Sequence, residues 1–287
     1  MRPIVIVAPD YTHSSNGIRA LHDLCHQINM MGGTARMLLL TEDAIKSCEP
    51  PQQNPDWNTP TLEESERHFL EDGIVIYPEV VKGNPLNAKR VARWIGNKDG
   101  VLREGEGMDA GPNDFLIAHS RVLCKNPNYV LFYSYVNPCF NDNESDPEKR
   151  VLNATYIGKG YLYGQVGILK KTLWIDRKWP CTQEQLAFLL KHVACFYTWD
   201  CWSQTNVDAV LCGCVPFFLN YDPFTSEEID SAELGRIPRL DADNKVFDLD
   251  VYTQQRADLI KRIAELQASW DSRIKGMLDK LQAHFGE

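Results

Sequence analysis

FYTWDCWSQTNVDAVLCGCVPFF, residues 196–218, decides how this chain is read. It opens on a short apolar and aromatic run, FYTW, passes through a polar segment with helical spacing, and ends on Gly213-Cys214-Val215-Pro216 and a second apolar run. That is a strand, a turn, a helix and the next strand. Asp200 and Asp208 lie inside it, with seven residues between them. The first acid is expected at the carboxyl end of a strand, the second about two turns into the helix. In open α/β sheets that edge is where ligands bind.

The same alternation extends towards the N-terminus. Asn153 to Ile157 reads as a strand, followed by the turn Gly158-Lys159-Gly160. Glycines on both sides of a lysine let the backbone approach closely while the ammonium points at a ligand. A phosphate contact and a flexible surface lysine both fit this turn. KTLWI (171–175) is a further strand. Pro180, Thr182 and Glu184 open a helix to about residue 193, with Leu186, Leu189, Leu190 and Val193 on its apolar face and Thr182 as N-cap. The second half therefore reads β-α-β-α-β.

The first half has the same grammar. IVIVAP (4–9) is an unbroken apolar run, as expected of a buried parallel strand. The polar loop from Asp10 to Gly17 leads into a helix on Ile18, Leu21, Leu24, Cys25, Ile28 and Met31, which Gly32-Gly33 stops. ARMLLL (35–40) is the next strand. The loop between them lacks both G-x-G-x-x-G and the P-loop pattern, yet it can offer free N–H groups to an anion or to sugar hydroxyls. Ser15 and Gly17 are its candidate donor-binding contacts; an ordinary helix cap is the plainer reading. Residues 48–62 read as surface loop and GIVIY (73–77) as a strand, followed by Glu79 and then a helix over roughly 86–96 with Val91 and Trp94 inward. The segment 98–113 reads as a loop, FLIA (115–118) and YVLFY (129–133) as strands. His119 follows the first of these. Glu79 and His119 are candidate catalytic residues of the cleft, with Asp200 of the second half, and both also suit purely structural roles.

PCFNDNESDPEKR (138–150) is the most linker-like stretch, and the expected organisation follows from it. Residues 1–140 form one Rossmann-like domain, 150–248 a reduced second one, and 251–287 a long C-terminal helix. Leu259, Ile263, Leu266, Trp270, Ile274, Met277 and Leu281 give that helix a narrow apolar seam, suited to packing across both domains or to pairing with another chain. The fold class is thus α/β, two Rossmann-like domains facing a cleft.

Composition narrows the function. A formal charge of −9 argues against broad nucleic-acid binding but permits a local nucleotide pocket. No apolar run is long enough to span a bilayer, and the N-terminus lacks signal-peptide features. The nine cysteines show no framework spacing and read as reduced residues of a cytosolic protein. Cys212 and Cys214 find no partner pair for a metal site, so neither metal nor cofactor is expected.

The chemistry converges in the second half. A helix starting near Ser203 supplies free N–H groups and positive potential, Ser203 and Thr205 add hydroxyls, and Lys159 adds a full charge. Together they suit a diphosphate. Asp208 could take ribose hydroxyls, and Asp200 would face the sugar beyond the diphosphate.

At these residues the chain resembles a known family. The acid–seven–acid spacing followed by AVLCGCVP is similar to the donor-site motif of GT-B glycosyltransferases in the family-4-like retaining group, where the acids are usually glutamates. SSNGIRALHDLCHQIN and YPEVVKGNPLNAKRVARWIGNKDG resemble segments of the bacterial polysaccharide-assembly members, and YIGKG falls where the family often has a basic phosphate contact. The resemblance covers roughly residues 1–218. It implies that Asp208 is the ribose-binding acid, Asp200 the acid beside the donor sugar, Lys159 the diphosphate lysine, and the loop with Ser15 and Gly17 the N-domain cleft loop. Arg150 is only a distant candidate for the arginine that usually accompanies the lysine.

The implied reaction is metal-independent transfer of a sugar from a nucleotide sugar, UDP- or GDP-linked, to a hydroxyl of a glycan or lipid-linked glycan. Catalysis would be electrostatic stabilisation of the leaving diphosphate. A lipid-linked acceptor would bring a cytoplasmic protein to the inner face of the membrane, and the C-terminal helix offers a route to a homo-oligomer. Two other classes stay open: a sugar-nucleotide epimerase using Glu79 and His119 as acid/base groups, and a non-catalytic partner subunit that binds nucleotide sugar. The missing glycine fingerprint disfavours an NAD-dependent oxidoreductase.

Overall fold

The structure, a computed structural model of the chain, describes residues 1–39, 52–102, 107–143, 145–163, 166–167 and 169–286. The chain divides into two compact units. Met1–Tyr133 together with Ala268–Glu287 form the first, and Ser134–Gln267 the second.

The first unit is built on a six-stranded parallel sheet. Its strands are β1 (Ile4–Ala8), β2 (Ala35–Leu39), β3 (Ile74–Pro78), β4 (Val91–Ile95), β5 (Phe115–Ala118) and β6 (Tyr129–Val130). Their order is β2-β1-β3-β4-β5-β6, with Ile4 beside both Ala35 and Ile74. Every residue of β1, β3 and β4 is buried, which is why β1 and β3 read as unbroken apolar runs. One sheet face packs on helix α1 (Asn16–Met30) and on a C-terminal helix, Trp270–His284, through Leu24, Ile28, Trp94, Ile274, Met277 and Leu281. On the other face Val5, Val75 and Tyr77 pack with Phe69 and Leu70 of the one-turn helix α2 (Phe69–Asp72) and with Leu86 and Ala88 of the connection to β4. The connection leaving β1 thus runs to one face and that leaving β3 to the other, so the winding switches between these two adjacent strands.

The second unit holds a four-stranded parallel sheet of β7 (Leu152–Tyr156), β8 (Leu173–Ile175), β9 (Val193–Thr198) and β10 (Val215–Phe218), ordered β10-β9-β7-β8. Helix α3 (Gln183–Leu190) leads into β9 and helix α4 (Gln204–Leu211) joins β9 to β10. Thr182 caps α3, its hydroxyl accepting from Gln185 N–H at 3.2 Å. Helix α5 (Ser226–Ser231) interrupts the segment after β10, and α6 (Leu249–Ala268) closes the unit. Arg256 of α6 donates to the carbonyls of Val210 and Leu211, satisfying the carboxyl end of α4.

Four expectations need correction. Residues 86–96 are not a helix. Asn84 Oδ1 accepts the Ala88 N–H and the Tyr77 hydroxyl, Asn87 adopts φ 51°, and Val91–Ile95 follow as buried strand β4. Val193 opens β9 rather than closing a helix, because α3 ends at Leu190. Of residues 129–133 only Tyr129 and Val130 form a strand. The long C-terminal helix is two: α6 ends at Ala268, and α7 (Trp270–His284) begins after Ser269. The two halves of the seam are used in different bodies. Ile274, Met277 and Leu281 are buried in the core of the first unit, whereas Leu259 and Ile263 lie in the second.

Candidate functional site

In the second sheet the winding again changes between neighbours, here β7 and β9, whose loops carry the residues singled out above. β9 ends at Thr198, and Asp200 follows directly. Its carboxylate Oδ2 accepts the Lys159 N–H at 2.8 Å, its backbone N–H donates to Thr198 Oγ1, and its carbonyl accepts from Asn206 Nδ2 at 2.8 Å. The Asp200 side chain is 2% exposed, and its Oδ1 has no partner among the described residues.

The two glycines around Lys159 are explained by this proximity. Gly158 adopts φ 53°, and a Cβ there would stand 2.5 Å from Asp200 Oδ2 and 2.6 Å from Tyr156 Cε1. A Cβ on Gly160 would stand 2.6 Å from the Trp199 backbone oxygen. The close backbone approach expected at this turn is therefore made to the loop after β9. Lys159 is half-buried, and its charge lowers the pKa of the Cys201 thiol against the stronger upward push of burial.

Helix α4 starts where the sequence places it. Ser203 is the N-cap, and its hydroxyl accepts the Thr205 N–H at 3.3 Å. Ser203 Oγ also lies 3.2 Å from Thr205 Oγ1 and 3.4 Å from the Tyr156 hydroxyl. Three hydroxyls thus meet at the positive end of a helix. Asp208 lies farther along α4, buried, and accepts from Gln204 Nε2 at 3.1 Å. Its charge acts on the thiols of Cys139 and Cys212, which burial pushes up to about 11 and about 12. Asp200 and Asp208 therefore have different neighbours: one the turn after β7, the other Cys139 and Cys212.

Arg150 serves neither acid. Its guanidinium donates to the carbonyls of Leu190, Val193 and Cys212 and to Ser145 Oγ. A cavity of about 410 Å³, lined in part by Cys139, Glu184, Phe188, Lys191 and His192, contains none of the candidate residues.

In the first unit Ser15 caps α1, its hydroxyl accepting from Ile18 N–H at 3.5 Å. Gly17 is exposed, and a Cβ on it would meet nothing within 4 Å. Glu79 follows β3 and accepts from Asn97 Nδ2 at 2.6 Å. His119 follows β5; its Nδ1 accepts the Tyr133 N–H at 3.2 Å, and its ring stacks on Phe132. That bond leaves the proton of a neutral ring on Nε2. Both side chains are thus engaged by neighbours at the carboxyl edge of the first sheet. The buried Arg93, in the middle of β4, donates to the carbonyls of Val81, Gly83 and Asp109 and to Asp114 at 2.8 Å, tying the segments after β3 and before β5 to the sheet.

Tyr156 is the residue that sequence reasoning passes over. It sits in a strand and reads as core. The one available signal is its place as the last residue of β7, two before Gly158.

Among the described residues no helix is long and apolar enough to cross a membrane, no group of three or more His, Cys, Asp or Glu side chains is placed to hold a metal ion, and all eight described cysteines are free. No family model and no curated protein matches the sequence. Among solved structures, the chain is similar to the crystal structure of the glycotransferase of kitacinnamycin, at 9% identity and a TM-score of 0.37, covering 98% of this chain and 95% of that one. It is also similar to the T4 phage β-glucosyltransferase, at 14% identity and a TM-score of 0.39, covering 98% and 93%.

Proposed function

We propose that the chain is a glycosyltransferase of GT-B architecture that moves a sugar from a nucleotide-sugar donor to a hydroxyl of a glycan acceptor. One observation carries the reading: at the winding switch of the second sheet, the capped amino end of α4, the Ser203 and Thr205 hydroxyls and the Gly158-Lys159-Gly160 turn occur together. Helix ends of this kind bind phosphoryl groups. As the bond from the sugar to the donor phosphate breaks, negative charge grows on the leaving diphosphate, and this field stabilises it without calling on a metal ion. The acceptor oxygen forms the new bond to the sugar. In a retaining reaction its proton passes to the departing phosphate.

Lys159, Ser203 and Thr205 hold the diphosphate in this proposal, and Asp208 takes the ribose. Asp200 acts by fixing the Lys159 backbone through Oδ2, one of its two carboxylate oxygens. Glu79 and His119 are assigned to the acceptor side, and so are Ser15 and Gly17, which the sequence alone suggested as donor contacts. The acceptor class we favour is a glycan or lipid-linked glycan of polysaccharide assembly, and the donor base uracil or guanine.

The test is thermal shift and calorimetry with UDP, GDP, CMP and dTDP, followed by acceptor-dependent nucleotide release. Lys159→Ala and Ser203→Ala should each weaken binding of the preferred nucleoside diphosphate about tenfold, the scale of one charge-assisted hydrogen bond. Absence of any nucleotide effect on the wild-type protein would refute the assignment. A second reading, nucleotide-sugar binding without transfer, draws on the burial of Asp200. Nucleotide release that requires acceptor and disappears in Asp208→Ala would exclude it.

A further inference from the structure

We propose that Tyr156 is a positioning residue for the diphosphate site, acting through the hydroxyls of Ser203 and Thr205; this rests on the reading of that helix end given above.

Tyr156 closes β7 and is fixed on every side. Its carbonyl accepts the Trp199 N–H at 3.0 Å, its ring stacks on Phe196 at 6.0 Å between centroids, and the ring edge packs against Gly158. The residue is 7% exposed, so it does not itself offer a surface to a ligand. Burial and the neighbouring Asp200 charge raise its pKa, so the phenol keeps its proton at neutral pH. What it supplies is a rigid oxygen 3.4 Å from Ser203 Oγ.

Ser203 needs such an anchor. As N-cap it accepts the Thr205 N–H, and it lies 3.2 Å from Thr205 Oγ1. Serine and threonine hydroxyls turn freely about the Cβ–Oγ bond, so which way their protons point is set by partners. With Tyr156 as a fixed third member, the Ser203 proton has two competing acceptors, Tyr156 and Thr205. An anion arriving at the helix end can therefore be met by a rotated hydroxyl while Ser203 remains held in place. Without the phenolic oxygen, the Ser203 hydroxyl loses its partner outside its own helix, and only the backbone tie to the Asp200 carbonyl remains. Preorganised donors bind more tightly because less order is lost on binding.

Tyr156→Phe keeps the ring, the Phe196 stack and the Gly158 contact and removes the oxygen alone. UDP and GDP are titrated calorimetrically, with uridine and guanosine as controls lacking phosphate. Affinity for the preferred nucleoside diphosphate should fall five- to tenfold, with nucleoside affinity unchanged. In turnover, KM for the sugar nucleotide should rise while kcat changes less than twofold. Tyr156→Leu, which keeps an apolar side chain at the end of β7 and also removes the oxygen, should give the same split if Tyr156→Phe does not fold. Equal losses for nucleoside and nucleoside diphosphate would mean a general structural role and overturn the inference. Wild-type diphosphate affinity in Tyr156→Phe, with Lys159→Ala weakened, overturns the inference alone. Wild-type affinity in both variants removes the diphosphate reading and the inference with it.

Discussion

The loop after β1 and the loop after β7 hold corresponding places in two parallel sheets, each following a central strand beside the point where the strand order reverses direction. They are built differently. After β7, Gly158 and Gly160 leave room for nothing: Asp200, Tyr156 and Trp199 fill the space where side chains would go. After β1, Gly17 stands in open space, and the loop is held by a helix cap and by His22, whose ring bonds the Pro9 carbonyl at 2.9 Å. A turn locked by its neighbours suits a constant chemical group, such as a diphosphate. A roomy loop on a rigid helix suits a part of the ligand that varies. On the function proposed above, the locked turn belongs to the donor side and the open loop to the acceptor side.

Gly158→Ala attacks the locked turn and carries the largest expected effect. A non-glycine residue at φ 53° costs about 1–2 kcal/mol, and forcing a methyl against Asp200 and Tyr156 adds about 1–3 kcal/mol. Urea denaturation of the full chain should show a loss of about 2–5 kcal/mol, together with loss of nucleotide affinity. A stable Gly158→Ala protein with wild-type affinity would mean that the turn is not locked.

Much of this frame is legible in the sequence, for a physical reason. Parallel strands buried on both faces become continuous apolar runs, so IVIVA and IVIYP announce themselves. Val91–Ile95 does not, because Val91 and Trp94 are three apart and fit a helix as well as a buried strand; periodicity cannot separate the two. The break at Ser269 is hidden because the three-and-four spacing of the seam continues across it. In the site, strand-end positions are readable, and so is the Ser203 cap. The contact between Lys159 N–H and Asp200 joins residues 41 apart, and nothing local to either records it. A carboxylate in an acid–seven–acid pattern looks available for a ligand, and only tertiary packing shows that one of its oxygens is already used. Tyr156 is invisible for the same reason, since its hydroxyl finds Ser203 across 47 positions.

Asp200 tests the lock from the other side. Asp200→Ala leaves the Lys159 N–H without its acceptor, at a cost of about 1–3 kcal/mol for a buried unsatisfied group. Asp200→Asn keeps an acceptor oxygen and removes the charge. If Asp200 works by fixing the turn, the asparagine variant should retain most of the stability and nucleotide affinity that alanine loses. Equal loss in both would show that the charge itself is needed, which would restore a direct role beside the sugar.

His22 gives the loop after β1 a pH dependence. Its Nε2–H serves Pro9, its Nδ1 is buried without a partner among the described residues, and burial lowers its pKa from the ordinary 6.5. Below 6.5 the unfolded chain takes up a proton that the folded ring resists. The stabilisation is therefore complete above 6.5 and is lost as pH falls through the folded value, with a slope of at most about 1.4 kcal/mol per pH unit. Asp23, raised by burial, acts with the opposite sign, gaining stability as pH falls. The difference between wild type and His22→Gln isolates the histidine. That difference should shrink steadily from pH 7 to 5; a constant gap would mean that His22 protonates freely in the folded protein.

Gly17→Ala carries the smallest effect and tests the open loop most directly. Gly17 lies in the first turn of α1, without the positive φ that would require glycine, and a methyl there touches nothing. Alanine lowers the backbone entropy of the unfolded chain and favours the helix, so it should stabilise the protein by about 0.4–1 kcal/mol. Because the added methyl projects into free space rather than into protein, any functional change must come from a ligand that occupies that space. Melting temperature should rise in the absence of ligand, and affinity for nucleoside diphosphate should be unaltered. KM for the acceptor should increase if the acceptor passes over the first turn of α1. A Gly17→Ala protein that loses nucleoside diphosphate affinity instead would place the donor at this loop and erase the division between the two sheets' edges.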